Sequence, residues 1–130
     1  MVLDTSAVVA SVTGEPDKER YRQAMFGADS LAMSSVTVLE TRIVLHGRHG
    51  SDMVAAFDGM IAELAIEVVA FDGPQVDAAI DAFRRYGKGQ GHPAQLNLCD
   101  CAAYALAMTR NEGLLFKGND FARTDIAAVL

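Results

Sequence analysis

Short apolar segments alternate along this chain with longer segments of helical periodicity, and this alternation constrains the fold more than any other feature. Strands are predicted at 1–4, 30–34, 66–71, 114–116 and 126–130. Helices are predicted from residue 16, from residue 36 to a stop near 47–50, and over 53–64, 74–86 and 98–108, whereas residues 5–12 show no clear period. Strands that alternate with helices build a parallel sheet with helices packed against it. The prediction is a single α/β domain over residues 1–130, a sandwich with a largely parallel central sheet.

The composition fits a globular domain and excludes several other classes. Hydrophobic residues make up 51% of the 130 residues and charged residues 22%, which excludes a disordered chain. No apolar run approaches the roughly 20 residues of a membrane span. The N-terminus also lacks the basic segment with which a secretory signal begins. A disulfide between Cys99 and Cys101 is geometrically disfavoured. We therefore expect a cytoplasmic protein with no membrane contact, and its net charge of -6 argues against binding nucleic acid by charge alone.

Four carboxylates follow the predicted strands. Asp4 ends the first strand, Glu40 lies in the first two turns of the helix after the second, Asp100 begins the last apolar helix, and Asp120 follows the fourth strand. Ligands of open α/β sheets gather beyond the carboxyl ends of the strands, so we expect these acids to meet. Clustered carboxylates repel one another unless a cation joins them. Hard oxygen ligands of this kind favour Mg²⁺ or Mn²⁺.

Each of these acids also has a purely structural interpretation. Asp4 can cap the segment that follows it, and Asp100 suits the first turn of a helix because of the helix dipole. Glu40 can complete a capping box with Thr37, and Asp120 can form an Asx turn. For each acid alone the structural interpretation is favoured, but four acids at one sheet edge favour a functional site.

Four segments, taken in order, point to a family. They are MVLDTSAVVA at the start, SSVTVLET around residue 40, HPAQLNLCDCAAYALA around residue 100 and LLFKGNDFARTDI near the end. Together they resemble the PIN-domain ribonuclease toxins of the VapC type, and the resemblance spans the whole chain.

The resemblance implies both an activity and partners. It implies a compact α/β/α sandwich that cleaves RNA with Mg²⁺ or Mn²⁺, by hydrolysis of phosphodiester bonds with metal-activated water. Asp4, Glu40, Asp100 and Asp120 would be the catalytic, metal-binding acids, and Ser6 would support Asp4. It also implies the toxin component of a type II toxin–antitoxin pair, held by a VapB-like antitoxin and forming a homodimer.

Two positions depart from the family pattern. Cys99 stands where relatives commonly have glycine, and its Cβ can crowd the backbone near a metal. Asn119 stands where relatives often have an acid, so it supports the site without adding charge. The alternative function is therefore a catalytically impaired PIN-fold module that binds RNA or protein. A phosphotransfer domain fits less well, because Asp4 is followed by Thr5 and Ser6 and not by a second acid.

Basic side chains are concentrated near the same segments. Lys88 lies in the glycine-rich stretch before Asp100, and Lys117 and Arg123 flank Asp120, so these three are candidates for RNA contact. The group at 42–49 suits a solvated helix face as well as it suits phosphate binding. The three histidines have no zinc-site spacing.

Overall fold

The computed structural model describes all 130 residues and contains four strands and six helices. The elements are β1 Val2–Leu3, α1 Thr5–Thr13, α2 Lys18–Phe26, β2 Ala32–Ser34, α3 Ser35–His49, α4 Ser51–Glu63, β3 Glu67–Val69, α5 Gly73–Tyr86, α6 Leu98–Arg110 and β4 Leu114–Leu115. The four strands form one sheet in the order β3-β2-β1-β4, and every strand pair is parallel. The predicted α/β fold with a largely parallel sheet is confirmed.

Two apolar cores lie on opposite faces of the sheet. Val2 and Leu114 point into a core formed mainly with α5 and α6. Their neighbours Leu3 and Leu115 point into a second core formed with α1, α2, α3 and α4. Successive strand residues face opposite sides of a sheet, so a fully apolar two-residue strand serves both cores. The result is a three-layer α/β/α sandwich.

Helix α1 occupies a segment in which the sequence shows no clear period. Its first residue follows Asp4, and it ends before Gly14, which has a left-handed backbone with φ of 75°. Most of α1 is buried, including Thr5 and the run 7–11. A helix that is buried on nearly all sides has no polar face, and therefore no amphipathic pattern reveals it.

The strand predicted over 126–130 is wrong. The C-terminal segment makes a single parallel bridge, between Leu114 and Ala128. Leu114 donates to Ala127 O at 2.8 Å and accepts from Val129 N at 3.1 Å, whereas Leu115 directs its carbonyl toward β1. Since β4 has only two residues, only Leu114 directs its backbone groups toward the C-terminal segment. The two segments therefore pair at this one residue and do not form a longer strand pair.

A polar network anchors the C-terminal segment to α5 and α6. Arg85 donates to Asp125 at 2.9 Å and to the hydroxyl of Tyr86 at 2.7 Å. Tyr104 donates to the other oxygen of Asp125 at 2.5 Å. None of the six helices combines the length and the apolarity needed to cross a membrane.

Candidate active site

A cleft of about 400 Å³ opens beyond the carboxyl ends of β1 and β4, beside α3 and the start of α6. It contains all four predicted acids. Its lining consists of Asp4, Thr5, Ser6, Val9, Glu15, Glu40, Val44, Arg48, Asn97, Asp100, Lys117 and Asp120. The short parallel strands end at the same sheet edge, which is why acids from four separate parts of the chain meet.

Asp4 occupies the floor of the cleft and is also the N-cap of α1. Its Oδ2 accepts from the backbone N of Ser6 at 3.0 Å and from the Ser6 hydroxyl at 2.6 Å. Its Oδ1 is buried and has no hydrogen-bond partner within the protein. The structural interpretation of Asp4 as a helix cap is therefore correct, but it accounts for only one of the two oxygens. A buried carboxylate oxygen without a donor is costly, so Oδ1 is suited to receive a ligand.

Ser6 joins the two walls on either side of Asp4. Besides donating to Asp4, its hydroxyl oxygen accepts from the backbone N of Lys117 at 2.9 Å. One side chain thus connects the start of α1 with the segment that follows β4, 111 residues away in sequence. This contact supports the orientation of Asp4 relative to the loop that carries Asp120.

Glu40 is oriented by threonines and not by a capping box. Thr5 donates from Oγ1 to Glu40 Oε1 at 2.5 Å, and Thr41 Oγ1 lies 3.1 Å from Thr5 Oγ1. The capping box predicted for Thr37 and Glu40 is wrong, because α3 begins earlier, with Ser34 as its N-cap. Both Thr5 and Thr41 are buried, so this contact holds Glu40 against the interior.

Asp100 is the third residue of α6 and forms a true capping box. Its Oδ2 accepts from the backbone N of Asn97 at 3.0 Å, and the Asn97 side chain accepts from the backbone N of Asp100 at 2.9 Å. Asp100 is buried. Its Oδ1 accepts no hydrogen bond from the protein, so here too one carboxylate oxygen serves the helix and the other faces the cleft.

The carboxylates raise one another's proton affinity. Burial raises the pKa of Asp4 to about 6, against the opposing hydrogen bonds from Ser6, and the charge of Glu40 adds to the rise. Burial also raises the pKa of Asp100 to about 7, and the charges of Asp4, Asp120 and Glu40 contribute. The Cys99 thiol has a pKa of about 12, because burial and the adjacent Glu40 disfavour the thiolate. The cleft is therefore a region of strong negative potential.

Asp120 and Asn119 differ in their relation to the cleft. Asp120 is exposed and lines the cleft, close enough for its charge to raise the pKa of Asp100. Asn119 is exposed and is absent from the lining. Its side chain makes no hydrogen bond, so the structure gives it no contact with the acids.

The comparisons with known proteins agree with this architecture. The PIN domain family model matches residues 1–127. The chain belongs to the PIN domain family. Ribonuclease VapC of Mycolicibacterium smegmatis is 46% identical over 129 residues, covering 99% of both chains. Ribonuclease VapC30 of Mycobacterium tuberculosis is 44% identical over 129 residues, covering 99% of this chain and 98% of the relative.

Solved structures share the fold at low sequence identity. The crystal structure of Mycobacterium tuberculosis VapC20, described as a sarcin-ricin loop cleaving toxin, is 14% identical with a TM-score of 0.80, covering 98% of this chain and 97% of the other. VapBC2 from Rickettsia felis, bound to a DNA fragment from its promoter, is 15% identical with a TM-score of 0.74, covering 98% and 94%. The predicted resemblance to VapC-type PIN domains is confirmed.

The three basic residues predicted to contact RNA differ in their position relative to the cleft. Lys117 lines the cleft, but its Nζ is bound by the carboxylates of Glu15 and Asp17 in the connection between α1 and α2. Lys88 and Arg123 are exposed and lie outside the lining. Lys117 thus forms part of the cleft wall, and its charge is already paired with carboxylates of the same chain.

Arg48 is a residue of the cleft that the sequence prediction left open. It lies in the last turn of α3 and lines the cleft with Glu40 and Val44. These three residues recur at intervals of four, the spacing that places side chains on one face of a helix. That spacing from Glu40 is the feature of the sequence by which Arg48 could have been distinguished from the other basic residues at 42–49.

The donor set of this PIN domain suits a hard cation. Its polar lining atoms are mainly carboxylate oxygens, with an unpartnered oxygen on Asp4 at the centre. No three carboxylate, imidazole or thiol groups stand close enough together to form a complete ligand set by themselves. Mg²⁺ commonly binds through one or two carboxylates and keeps several waters. The residues therefore fit a partly hydrated Mg²⁺ or Mn²⁺ ion.

Proposed function

We propose that this PIN domain is a metal-dependent endoribonuclease and the toxin component of a type II toxin–antitoxin pair. The single observation that carries the proposal is the buried Oδ1 of Asp4, which has no partner in a cleft lined by four further acids. Repulsion among these carboxylates is relieved when a divalent cation joins them. The names of relatives at 39–46% identity, VapC ribonucleases, support RNA as the substrate.

In this proposal three of the four acids are each held by a neighbouring residue. Asp4, Glu40 and Asp100 bind Mg²⁺ or Mn²⁺, directly or through water, and Asp120 contributes from the rim. An ion held there would supply a water of lowered pKa and positive charge opposite the phosphate. Ser6 orients Asp4, Thr5 orients Glu40, and the backbone N of Asn97 orients Asp100. Such supporting contacts commonly determine metal affinity.

The reaction that this arrangement supports is phosphodiester hydrolysis. The oxygen of a water forms a bond to phosphorus as that water loses a proton, while the bond from phosphorus to the 3′ oxygen breaks and the 3′ oxygen gains a proton. The products are a 5′-phosphate end and a 3′-hydroxyl end. Cation binding favours the ionised forms of Asp4 and Asp100, whose pKa values of about 6 and about 7 lie above the ordinary value of 3.8, and it therefore releases protons.

The proposal includes an antitoxin of the VapB type as partner. Two structural neighbours support it, a toxin–antitoxin complex from Klebsiella pneumoniae and VapBC2 from Rickettsia felis. The homodimer and the cytoplasmic location stay predictions that follow from the family resemblance.

Calorimetric Mn²⁺ titration and an RNA cleavage assay test the proposal together. Wild-type protein should bind Mn²⁺ saturably and cut RNA only when a divalent cation is present. Asp4→Asn and Asp100→Asn should lose both properties, whereas Asp77→Asn, an exposed acid of α5, should retain both. A wild-type protein with neither property would be the impaired binding module, and cleavage by Asp4→Asn at the wild-type rate would place the chemistry elsewhere.

A further inference from the structure

The charge of the cleft poses a problem for an RNA substrate. Five carboxylates line it, those of Asp4, Glu15, Glu40, Asp100 and Asp120, against two cations, Arg48 and Lys117. One or two divalent ions would reduce the excess of negative charge, but they would be bound by the acids at the floor of the cleft. A polyanion that enters this cleft needs a further cation whose charge is available.

Lys117 does not supply that cation. Its Nζ donates to Glu15 and to Asp17, the latter at 2.9 Å. These two partners raise the pKa of Lys117, so it stays charged, but the charge is directed at carboxylates of its own chain. A phosphate that recruited Lys117 would leave both acids unpaired beside it.

Arg48 lacks such a partner. Its guanidinium has no carboxylate within ion-pairing distance, whereas Arg22, Arg42, Arg85 and Arg110 each pair with an acid. Arg48 is exposed, and it lines the cleft on the same face of α3 as Glu40. Among the cations of the cleft, it is the one whose donors are unoccupied.

We propose that Arg48 binds a backbone phosphate of the RNA next to the bond that is cut. The inference rests on the proposed function. Arg48 lies eight positions after Glu40 along α3, a rise of about 12 Å, so Arg48 reaches a neighbouring phosphate and not the one at the carboxylates. A guanidinium suits this task because its planar donors bind phosphate oxygens in pairs.

Arg48 also has a structural role to be separated from this one. It belongs to the basic last turn of α3, where cations favourably oppose the helix dipole. That role affects the melting temperature of the protein and leaves the affinity for RNA unchanged. The test therefore measures RNA binding and its dependence on salt.

The experiment uses a labelled single-stranded RNA and the full-length Asp100→Asn protein, which binds RNA without rapid cleavage if the proposed function is right. Anisotropy titrations compare Arg48→Gln with the matched control Arg42→Gln, which removes a charge on the same helix outside the cleft. Arg48→Gln should lower affinity about tenfold at low salt and reduce the slope of log affinity against log salt by about 0.7. Arg42→Gln should change affinity less than about twofold.

A charge-neutral pair of substitutions tests the role of Lys117. Glu15→Gln combined with Lys117→Gln preserves net charge, and we expect RNA affinity to stay within about twofold of the parent. A salt slope unchanged by Arg48→Gln, or an equal loss with Arg42→Gln, overturns the assignment of Arg48. If wild-type protein cleaves no RNA, the proposed function fails instead, and the two failures are distinguished by the cleavage assay alone.

Discussion

Thr5 donates a hydrogen bond from its hydroxyl to Oε1 of Glu40 at 2.5 Å, across the space between the start of α1 and the second turn of α3. The two residues are 35 positions apart in sequence. Thr5 directly follows Asp4, so one short segment positions two acids of the cleft. Asp4 is held through Ser6, and Glu40 is held through Thr5.

Removing the hydroxyl of Thr5 should weaken metal binding without unfolding the protein. Thr5→Val keeps the shape of the side chain but leaves Glu40 Oε1 without its donor, and loss of such a supporting contact costs about 10-fold to 100-fold in metal affinity. Calorimetric Mn²⁺ titration measures the effect. Thr5→Ser, which retains the hydroxyl, should restore most of the affinity. Equal affinities for Thr5→Val and Thr5→Ser would mean that Glu40 needs no donor from this residue.

Ser6→Ala should have a comparable effect through Asp4. The substitution removes a donor from Asp4 Oδ2 and an acceptor from the backbone N of Lys117. We expect Mn²⁺ affinity to fall about 10-fold or more. Ser11→Ala is the matched control, because Ser11 is a buried serine of the same helix that donates to Ala7 O, away from the acids. If both alanine variants lose affinity equally, the loss reflects α1 as a whole and not the contact with Asp4.

Stability in chelator should fall as pH rises from about 4 to about 7. The unfolded chain releases the protons of Asp4 and Asp100 near their ordinary pKa of 3.8, whereas the folded chain retains them up to pKa values of about 6 and about 7. The folded state therefore binds more protons over this range, and stability decreases with pH. Acids whose pKa values are lowered, such as Asp125, change stability below about pH 4, outside this window.

Asp100→Asn tests whether Asp100 causes this decrease of stability with pH. The amide keeps an acceptor for the Asn97 backbone N but cannot be charged, so the slope between pH 4 and pH 7 should become shallower. The melting temperature of this variant in chelator at pH 7.5 should exceed that of wild type, and the rise on adding Mg²⁺ should be lost. Differential scanning calorimetry with and without Mg²⁺ measures both. A variant with the wild-type slope would show that Asp100 does not repel its neighbours.

Gly87→Ala should destabilise the connection between α5 and α6. A Cβ at Gly87 would lie 2.4 Å from both the ring and the carbonyl oxygen of Phe83, so the backbone must shift. We expect a loss of about 1–3 kcal/mol in the free energy of unfolding. Gly47→Ala in α3 meets nothing within 4 Å and should instead stabilise by up to about 1 kcal/mol. Urea denaturation compares the two, and similar stabilities would contradict the close approach at Gly87.

The elements that could be predicted are those with an exposed polar face or with an acid at the end of an apolar segment. The amphipathic helices α4 and α5 and the strand ends at Asp4 and near Asp120 follow from periodicity and from the placement of acids. Helix α1 has no period because it is buried almost all round, and the C-terminal segment looks like a strand but finds only one residue of β4 to pair with. These errors arise because an apolar pattern in the sequence indicates which residues are buried but not which element packs against them.

The sequence by itself determined the α/β class, the family and the four acids that share the cleft. These depend on residue type, order and spacing, which a linear pattern carries. Only the tertiary structure decided which of the two cations in the cleft is free, and that Thr5 holds Glu40. Lys117 meets Glu15 from 102 positions away, and Arg48 meets no acid. Ion pairs and hydrogen bonds between distant segments form over a few ångströms, so they exist only once the sheet has brought those segments together.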